Sequence, residues 1–148
     1  MQKQKTRLTN LILSIFMVLG VFSAFPSLGV NAETFEDYTY TVLEDGTAEI
    51  TDYTGTDTEL EIPAEINGYI VNSIGEDAFL GCSSLTSIII PEGVTSIGNG
   101  AFWDCSSLCS ITIPEGVTSI GNSAFMYCSS LTGATIPEGV ISIGGSAF

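Results

Sequence analysis

The sequence predicts a mainly β solenoid: a coil of about 23 residues per turn with a parallel sheet on one face, preceded by an N-terminal β-hairpin cap. Three observations favour this fold. The string IPEGVTSIGN starts at Ile90 and again at Ile113, and a near copy starts at Ile136. The apolar residues of each copy alternate as in a half-buried strand. Two further alternating segments flank a turn sequence upstream of the copies. A fixed period of this length is typical of solenoids, whose turns bury their apolar edges against each other.

The N-terminus has the layout of a secretory signal peptide. Lys3, Lys5 and Arg7 precede an apolar run over residues 11–25, and the small residue Ala32 stands just before acidic sequence. A positive start, a short apolar run and small residues before the cut define such signals. The alternative is an uncleaved anchor, but this run is shorter than the ~20 residues that a spanning helix needs. We expect residues 1–32 to be removed.

The remainder of the chain is a polyanion. The sequence contains 17 Asp and Glu, 3 Lys and Arg and no His, and all three basic residues lie in the predicted signal peptide. Such a surface repels nucleic-acid phosphates and anionic lipid. The composition also excludes lysine Schiff bases, Ser-His and Cys-His nucleophiles and histidine metal ligands. We therefore expect no nucleic-acid partner and, after signal cleavage, no membrane partner.

Residues 33–61 are predicted to form an acidic β-hairpin cap. The segments YTYTVL and AEITDY alternate on either side of EDGT, in which Asp45 and Gly46 supply the turn. A hairpin placed ahead of the first coil would cover the open sheet edge, which otherwise invites aggregation.

Residues 62–148 contain three complete repeats and a fourth that stops at Phe148. Each repeat is predicted to hold one strand that ends at a proline, because proline cannot donate to a ladder. A second short extended piece and a Gly-Asn turn then lead to an Ala-Phe doublet whose ring points inward. Because the fourth copy breaks off after this doublet, we expect the natural protein to continue into further repeats or another domain. The predicted inward columns are Leu85, Leu108 and Leu131; Ile88, Ile111 and Ala134; Ile90, Ile113 and Ile136; and Phe79, Phe102 and Phe125.

The IPEGVTSIG core, the Ala-Phe doublet, the Cys-Ser-Ser-Leu that follows it and the repeat period resemble the BspA-type (Treponema pallidum-type) leucine-rich repeats of exported bacterial proteins. The resemblance covers about residues 62–148, and the segment before them is similar to one found in exported proteins of Gram-positive gut bacteria. It implies a leucine-rich-repeat coil with the parallel sheet on its concave face and short turns or 3₁₀ pieces elsewhere. It also implies a secreted or cell-surface location, in a Gram-positive bacterium, and a role in adhesion or protein binding rather than catalysis.

Binding on the concave face would use the strand residues that point outward. Small hydroxyl side chains make a flat, adaptable surface there, and the carboxylates at the strand exits border it. The alternative is that Thr occupies these positions because it favours exposed strands. The candidate residues are Thr86, Ser87, Ile89, Ser110, Thr112, Thr132 and Thr135, with Glu92, Glu115 and Glu138 at the strand exits.

A second candidate patch lies at the corner of the coil, where the repeats vary most. Trp103 and Tyr127 could form a platform for a sugar ring or for an apolar side chain of a partner. The alternative is that these side chains cover the phenylalanines beneath them.

No cofactor is expected. A Ca²⁺ ion held by Glu92, Glu115 and Glu138 is a weak possibility. Exposed carboxylates ~5 Å apart repel each other by only ~0.8 kcal/mol in water, so the column permits a cation but does not require one. No Asp-x-Asp-x-Asp-Gly loop is present to hold calcium.

The cysteines are predicted to be structural. Cys82, Cys105 and Cys128 share one repeat position, and we expect a reduced, buried column rather than disulfides, since three in a row cannot all pair. Cys109 lies off this column and is predicted to be exposed. One column cannot surround a tetrahedral metal ion.

The sequence thus predicts a non-catalytic, secreted or surface-displayed recognition or adhesion module for an extracellular protein or glycan. One alternative is a structural or substrate-targeting repeat region of a larger exported enzyme, such as a scaffold-assembled carbohydrate-active one, with its catalytic part beyond residue 148. A hydrolase using two carboxylates is a third reading, but no pattern places two acids across a cleft.

Overall fold

The computed structural model describes residues 31–148, so almost all of the predicted signal peptide lies outside the described residues. This part of the chain consists of short strands joined by turns. No helix within it is long and apolar enough to cross a membrane. The strands in chain order are β1 (Ala32–Phe35), β2 (Tyr38–Val42), β3 (Ala48–Tyr53), β4 (Glu59–Glu61), β5 (Glu65–Ile66), β6 (Tyr69–Ile74), β7 (Ser87–Ile89), β8 (Ser96–Ile97), β9 (Ser110–Thr112), β10 (Ser119–Ile120) and β11 (Ser142–Ile143).

The strands form a solenoid with two sheets. The larger sheet has the order β1-β2-β3-β6-β8-β10-β11, with β5 paired to the side of β6. The smaller sheet has the order β4-β7-β9. All pairs between coils are parallel, because each coil runs in the same direction as the one before it. The predicted β solenoid with a parallel sheet is confirmed.

Identical letters of the repeat lie directly over each other. Ser96 of β8 pairs with Ser119 of β10, and Ser119 pairs with Ser142 of β11. In the smaller sheet Ile88 pairs with Ile111. The period of about 23 residues is therefore the length of one turn of the coil, and each repeat position becomes a column.

The predicted second short extended piece of each repeat joins the cap strands in the larger sheet, where the resemblance implied only turns or 3₁₀ pieces. Backbone amides there donate to the preceding coil: Thr95 N to Asn72 O at 2.8 Å and Thr118 N to Thr95 O at 2.8 Å. The Thr95 hydroxyl donates to the Asn72 side-chain oxygen at 3.0 Å. The Thr-Ser-Ile sequence keeps the chain extended long enough for this ladder, because β-branched residues favour strands.

The predicted hairpin cap is present as β2 and β3. Its turn contains Gly46 at φ 81°, a left-handed conformation that suits glycine, and the Asp45 carboxylate accepts the backbone N–H of Thr47 at 2.9 Å. β3 pairs in parallel with β6, so the hairpin covers the edge of the larger sheet as expected. β1, which begins at the last residue of the predicted signal peptide, adds an outer strand antiparallel to β2.

The cap also covers the smaller sheet. β4 pairs in parallel with β7, with Leu60 opposite Ile88. Residues 59–61 therefore act as a first rung of the coil, although the predicted repeat region begins after them. The predicted domain boundaries at residues 32 and 61 remain predictions.

A column of aromatic rings runs through the core. The phenylalanines of the Ala-Phe doublets stack nearly parallel, and the cap contributes Tyr53 to the same column. Phe79, Phe102 and Phe125 are fully buried or nearly so, as predicted. Neighbouring ring centroids lie 5.4 Å apart for Tyr53–Phe79, 5.0 Å for Phe79–Phe102, 5.2 Å for Phe102–Phe125 and 5.1 Å for Phe125–Phe148.

Asparagine side chains tie the turns of adjacent coils together. The Asn99 side-chain oxygen accepts the backbone N–H of Asn122 at 2.8 Å, and the Asn122 side-chain oxygen accepts that of Gly145 at 2.7 Å. Side chains as well as the backbone therefore form hydrogen bonds between the turns of neighbouring coils.

The last strand of the smaller sheet is missing, contrary to the prediction of a strand in every repeat. Residues 132–134 form no ladder, and Thr135 makes only an isolated bridge to Thr112. Ala134 stands in the column of Ile88 and Ile111, and its short side chain is only half-buried. A cleft of about 330 Å³ is open beside it. The methyl group of Ala134 fills less of this space than the side chains of Ile88 and Ile111 fill beneath β7 and β9, so this segment has less core packing.

Gly121→Ala tests the close contact between coils. A Cβ atom at Gly121 would lie 2.4 Å from the Asn99 nitrogen and 2.5 Å from the Gly98 carbonyl carbon, both backbone atoms of the preceding coil. We expect the free energy of unfolding to fall by about 1–3 kcal/mol, because the coils must separate to admit the methyl group. Urea unfolding followed by circular dichroism measures this change.

Gly133→Ala is the matched control, since a Cβ atom there meets nothing within 4 Å. Its stability should stay within ~0.5 kcal/mol of the parent. Equal losses in the two variants would contradict the stacking of residue 121 on the preceding coil.

Ala134→Ile tests the underfilled column. The larger side chain should fill part of the cleft and raise the free energy of unfolding by about 1 kcal/mol. Thr112→Ile places the same side chain at an exposed position of β9 and should change stability by less than ~0.5 kcal/mol. Thermal unfolding of both variants gives the comparison, and a loss of stability in Ala134→Ile would mean that residue 134 does not face the core.

Candidate binding surface

The smaller sheet brings the predicted concave-face residues into rows that cross the coils. Ile89 of β7 pairs with Thr112 of β9, and Thr112 bridges to Thr135. Ser87 pairs with Ser110 in the neighbouring row. Residues that are far apart in sequence thus form one continuous strip, because parallel pairing keeps the register across coils.

Most of this strip is open to solvent. Ile89 is 57% exposed, and Ser110, Thr112, Thr132 and Thr135 are exposed as well. Their hydroxyls have no hydrogen-bond partner within the described chain that would hold them away from a ligand. A large apolar side chain beside small hydroxyls combines adaptable polar contacts with one apolar anchor.

Thr86 and Ser87 contribute less than predicted. Both are half-buried, and the Thr86 hydroxyl donates to the Thr58 carbonyl at 2.7 Å. This hydroxyl therefore ties the first repeat to the cap. Thr86 belongs to the support of the strip rather than to its open surface.

Two acidic residues extend the strip at its cap end, and neither is among the predicted site residues. Glu59 pairs with Ser87 and Glu61 pairs with Ile89, both from β4, and both are exposed. The sequence signal is the match of ELEIP at residues 59–63 with the xIxIP pattern of the repeats. The strip therefore has a negative end and a hydroxyl-rich end.

The predicted carboxylate column lies at the exits of the smaller sheet. Glu92, Glu115 and Glu138 are all exposed and follow the prolines that end the strands. Among residues 31–148 no three or more Cys, Asp and Glu side chains come close enough together to hold a metal ion. A calcium ion on this column stays a prediction.

The predicted corner patch brings Trp103 and Tyr127 into contact. Their ring centroids are 5.7 Å apart and the planes meet at 64°, an edge-to-face arrangement. Trp103 is half-buried, whereas Tyr127 is 59% exposed. Asp104 and Tyr127 occupy the same repeat position and both have left-handed backbone, φ 56° and 64°. The Tyr127 side chain lies mostly in solvent at this turn. That Trp103 and Tyr127 form a binding platform stays a prediction.

The cysteine column has the predicted placement, with one difference. Cys105 and Cys128 are buried, Cys82 is half-buried, and all are free thiols. The Cys105 thiol donates to the Phe79 carbonyl at 3.1 Å. Contacts with the thiols of Cys128 and Cys82, together with burial, raise the pKa of Cys105. Cys109 is exposed, as predicted.

The fold and the strip define a class of protein: a parallel solenoid of short repeats that presents a strand-lined surface. The family model described as "BspA type Leucine rich repeat region (6 copies)" matches residues 49–148. The chain belongs to the BspA-type leucine-rich repeat family. The match begins inside the cap, in agreement with the pairing of β4 with β7.

Solved structures of bacterial leucine-rich repeat proteins are similar to this chain. A T. pallidum leucine-rich repeat protein is 32% identical, with a TM-score of 0.72 over 77% of this chain and 54% of that one. A leucine-rich cell surface protein from Faecalibacterium prausnitzii is 38% identical, with a TM-score of 0.73 over 83% of this chain and 35% of that one. A leucine-rich repeat protein from Bacteroides capillosus is 35% identical, with a TM-score of 0.70 over 76% of this chain and 86% of that one.

The chain therefore spans about half the length of the T. pallidum protein and about a third of the F. prausnitzii protein. A comparison with curated proteins gives no match.

Thiol alkylation tests the burial of the cysteine column. With iodoacetamide at pH 8, Cys109 should react first, and Cys105 at least about a hundredfold more slowly, because reaching it requires local opening of the core. Mass spectrometry of digested samples gives each rate. Cys109→Ser should remove only the fast phase, and similar rates at Cys105 and Cys109 in the folded chain would contradict the packing of the column.

Proposed function

We propose that the chain is an exported recognition module that binds an extracellular protein or glycan through the strip on the smaller sheet. The observation that carries this proposal is the exposed row of Ile89, Thr112 and Thr135, which continues across the repeats. A partner that contacts this row on one coil therefore finds equivalent positions on the next coil. Solenoids use such extended surfaces for recognition.

The exposed groups of the strip are suited to binding a partner rather than to catalysis. Its exposed groups are hydroxyls, one large apolar side chain and the carboxylates of Glu59 and Glu61. Residues 31–148 contain no His, Lys or Arg to activate a hydroxyl as a nucleophile. Binding of a protein or glycan by shape and hydrogen bonds requires none of these groups.

Export to the bacterial surface or medium is part of the proposal. It is supported by the basic, then apolar, then small-residue order of the N-terminus, and by the similarity to the F. prausnitzii protein, which is described as a cell surface protein. Adhesion is the role that we propose for the displayed module. A Gram-positive source stays a prediction.

A second candidate function is a structural or substrate-targeting repeat region within a larger exported enzyme, for instance a scaffold-assembled, carbohydrate-active one. The observation in its favour is that the matched region covers only 54% of the T. pallidum chain and 35% of the F. prausnitzii chain, so each of those proteins has sequence outside it. In that case the same strip would hold a polysaccharide or a scaffold protein, and the catalytic part would lie in sequence beyond residue 148.

Thr112→Arg tests the strip as the binding surface. The full chain is applied to immobilised extracellular matrix proteins and to host and plant glycans, and the affinity for each retained partner is measured by surface plasmon resonance. We expect Thr112→Arg to weaken binding at least about tenfold, because a long charged side chain at the centre of the row prevents close contact.

Thr118→Arg is the matched control, since Thr118 is exposed but directly precedes β10 in the larger sheet, away from the strip. It adds the same charge and should leave the affinity within about twofold. Equal effects of the two substitutions, or binding to none of the matrix proteins and glycans, would contradict the proposal.

A further inference from the structure

A second concave site lies in the cap, away from the repeats. A cleft of about 200 Å³ opens between the β1–β2 turn and the chain around β4. It is too small for a drug-sized ligand, whose sites occupy about 300–1,000 Å³, but large enough for the end of one side chain. Aromatic and acidic residues line it together, and they come from three parts of the chain: residues 35–38, Tyr53 and residues 57–63.

The aromatic lining is rigid. Phe35, Tyr38 and Tyr53 line the cleft. Tyr38 and Tyr53 pack at a centroid distance of 5.1 Å, and Tyr53 continues into the core column through Phe79 at 5.4 Å. The cleft therefore has a wall that is anchored to the core and formed before any ligand arrives, which reduces the entropic cost of binding.

Four acidic residues line the same cleft. Glu36 and Asp37 form the turn between β1 and β2, Asp57 precedes β4, and Glu61 ends it. The Tyr53 hydroxyl donates to the Asp57 carboxylate at 2.5 Å, which holds one of these charges against the aromatic wall.

No positive charge within the described residues balances these four. Residues 31–148 contain no Lys, Arg or His, so the carboxylates cannot form an ion pair with any side chain of that part. Burial, followed by the charges of Asp57, Glu36 and Asp37, raises the pKa of Tyr38 to about 12. The negative potential of three of the carboxylates is thus felt at the ring that lines the cleft.

The lining distinguishes an organic cation from a metal ion. Calcium needs six to eight oxygen ligands, and no three acidic or thiol side chains in residues 31–148 are grouped closely enough to hold a metal ion. An ammonium or guanidinium group is larger, needs fewer close oxygens and gains from aromatic rings as well as from carboxylates. We propose that this cleft binds the cationic end of a lysine or arginine side chain of a partner protein.

This inference goes beyond the proposed function, because it names the charge of the partner and places a contact outside the hydroxyl strip. The two sites are neighbours: Glu61 lines the cleft, and it also pairs with Ile89 at the end of the strip. A partner lying along the strip could therefore insert one basic side chain at its end.

Blocked tripeptides with a central lysine, arginine or norleucine test the cleft alone. Each is titrated into the full, isotope-labelled chain, and binding is followed by NMR chemical shifts. Lysine or arginine peptide should give saturable shifts at Tyr38, Tyr53 and Glu61 with a Kd in the millimolar range, about that expected for a single side-chain contact. Norleucine has a lysine-like length without the charge and should give none.

Matched variants separate the cleft from general attraction to an acidic protein. Glu61→Gln should weaken binding of the preferred peptide at least about fivefold, whereas Glu65→Gln removes the same charge from an exposed site that does not line the cleft and should weaken it less than about twofold. Glu61 is exposed, so its variant should retain the parent spectrum elsewhere. Asp57→Asn is a second test of the cleft.

The inference would be overturned by the absence of saturable shifts with both cationic peptides, by equal binding of norleucine, or by equal weakening in Glu61→Gln and Glu65→Gln. Because Glu61 also borders the strip, Glu36→Gln, which changes the cleft alone, should weaken binding of the peptide as well. Thr112→Arg tests the strip separately. Either site can therefore fail without the other.

Discussion

The fold depends on direct backbone contact between identical coils. Gly121 shows how close this contact is, since a single methyl group there would overlap the backbone of the preceding turn. The same closeness allows hydrogen bonds on every side of the coil, in the strands and in the turns alike, such as Phe102 N to Ala124 O at 2.8 Å. Because each coil must offer the next an unchanged edge, the sequence repeats not only its apolar residues but also its glycines and turn residues.

The regular stacking also determines which groups can serve in recognition. Alternation along β7 and β9 sends Ile88 and Ile111 inward, and therefore Ile89 and Thr112 outward. Core packing and surface presentation are therefore set by the same register. In the cap, Tyr53 is part of both the aromatic column and the cleft wall, so the proposed cation site adjoins the core.

The sequence was sufficient for most of the columns, because each repeated letter had to face its own copy; the prediction that Ile136 points inward like Ile90 and Ile113 is wrong, since Ile136 is exposed. The inward phenylalanines, the hairpin turn at Asp45 and Gly46, and the exposed Cys109 are all in the predicted places. The absence of a fourth strand in the smaller sheet was not predicted, because the repeat pattern does not give the side-chain volume that the core needs. Ala134 occupies the repeat position of Ile88 and Ile111 but has a smaller side chain. The cap cleft was not predicted either, since Tyr38, Asp57 and Glu61 are brought together by pairing between distant strands rather than by any local motif.

The equality of the repeats has a consequence for inheritance. A duplication or loss of one 69-nucleotide unit, three nucleotides for each of the 23 residues, leaves the repeated glycines and phenylalanines of the remaining coils in register. A gene of this kind can lengthen or shorten its product by whole coils, because each coil offers the next the same strand edge. Unequal recombination can thus vary the reach of the molecule while the cap, and whatever the cap binds, stays constant.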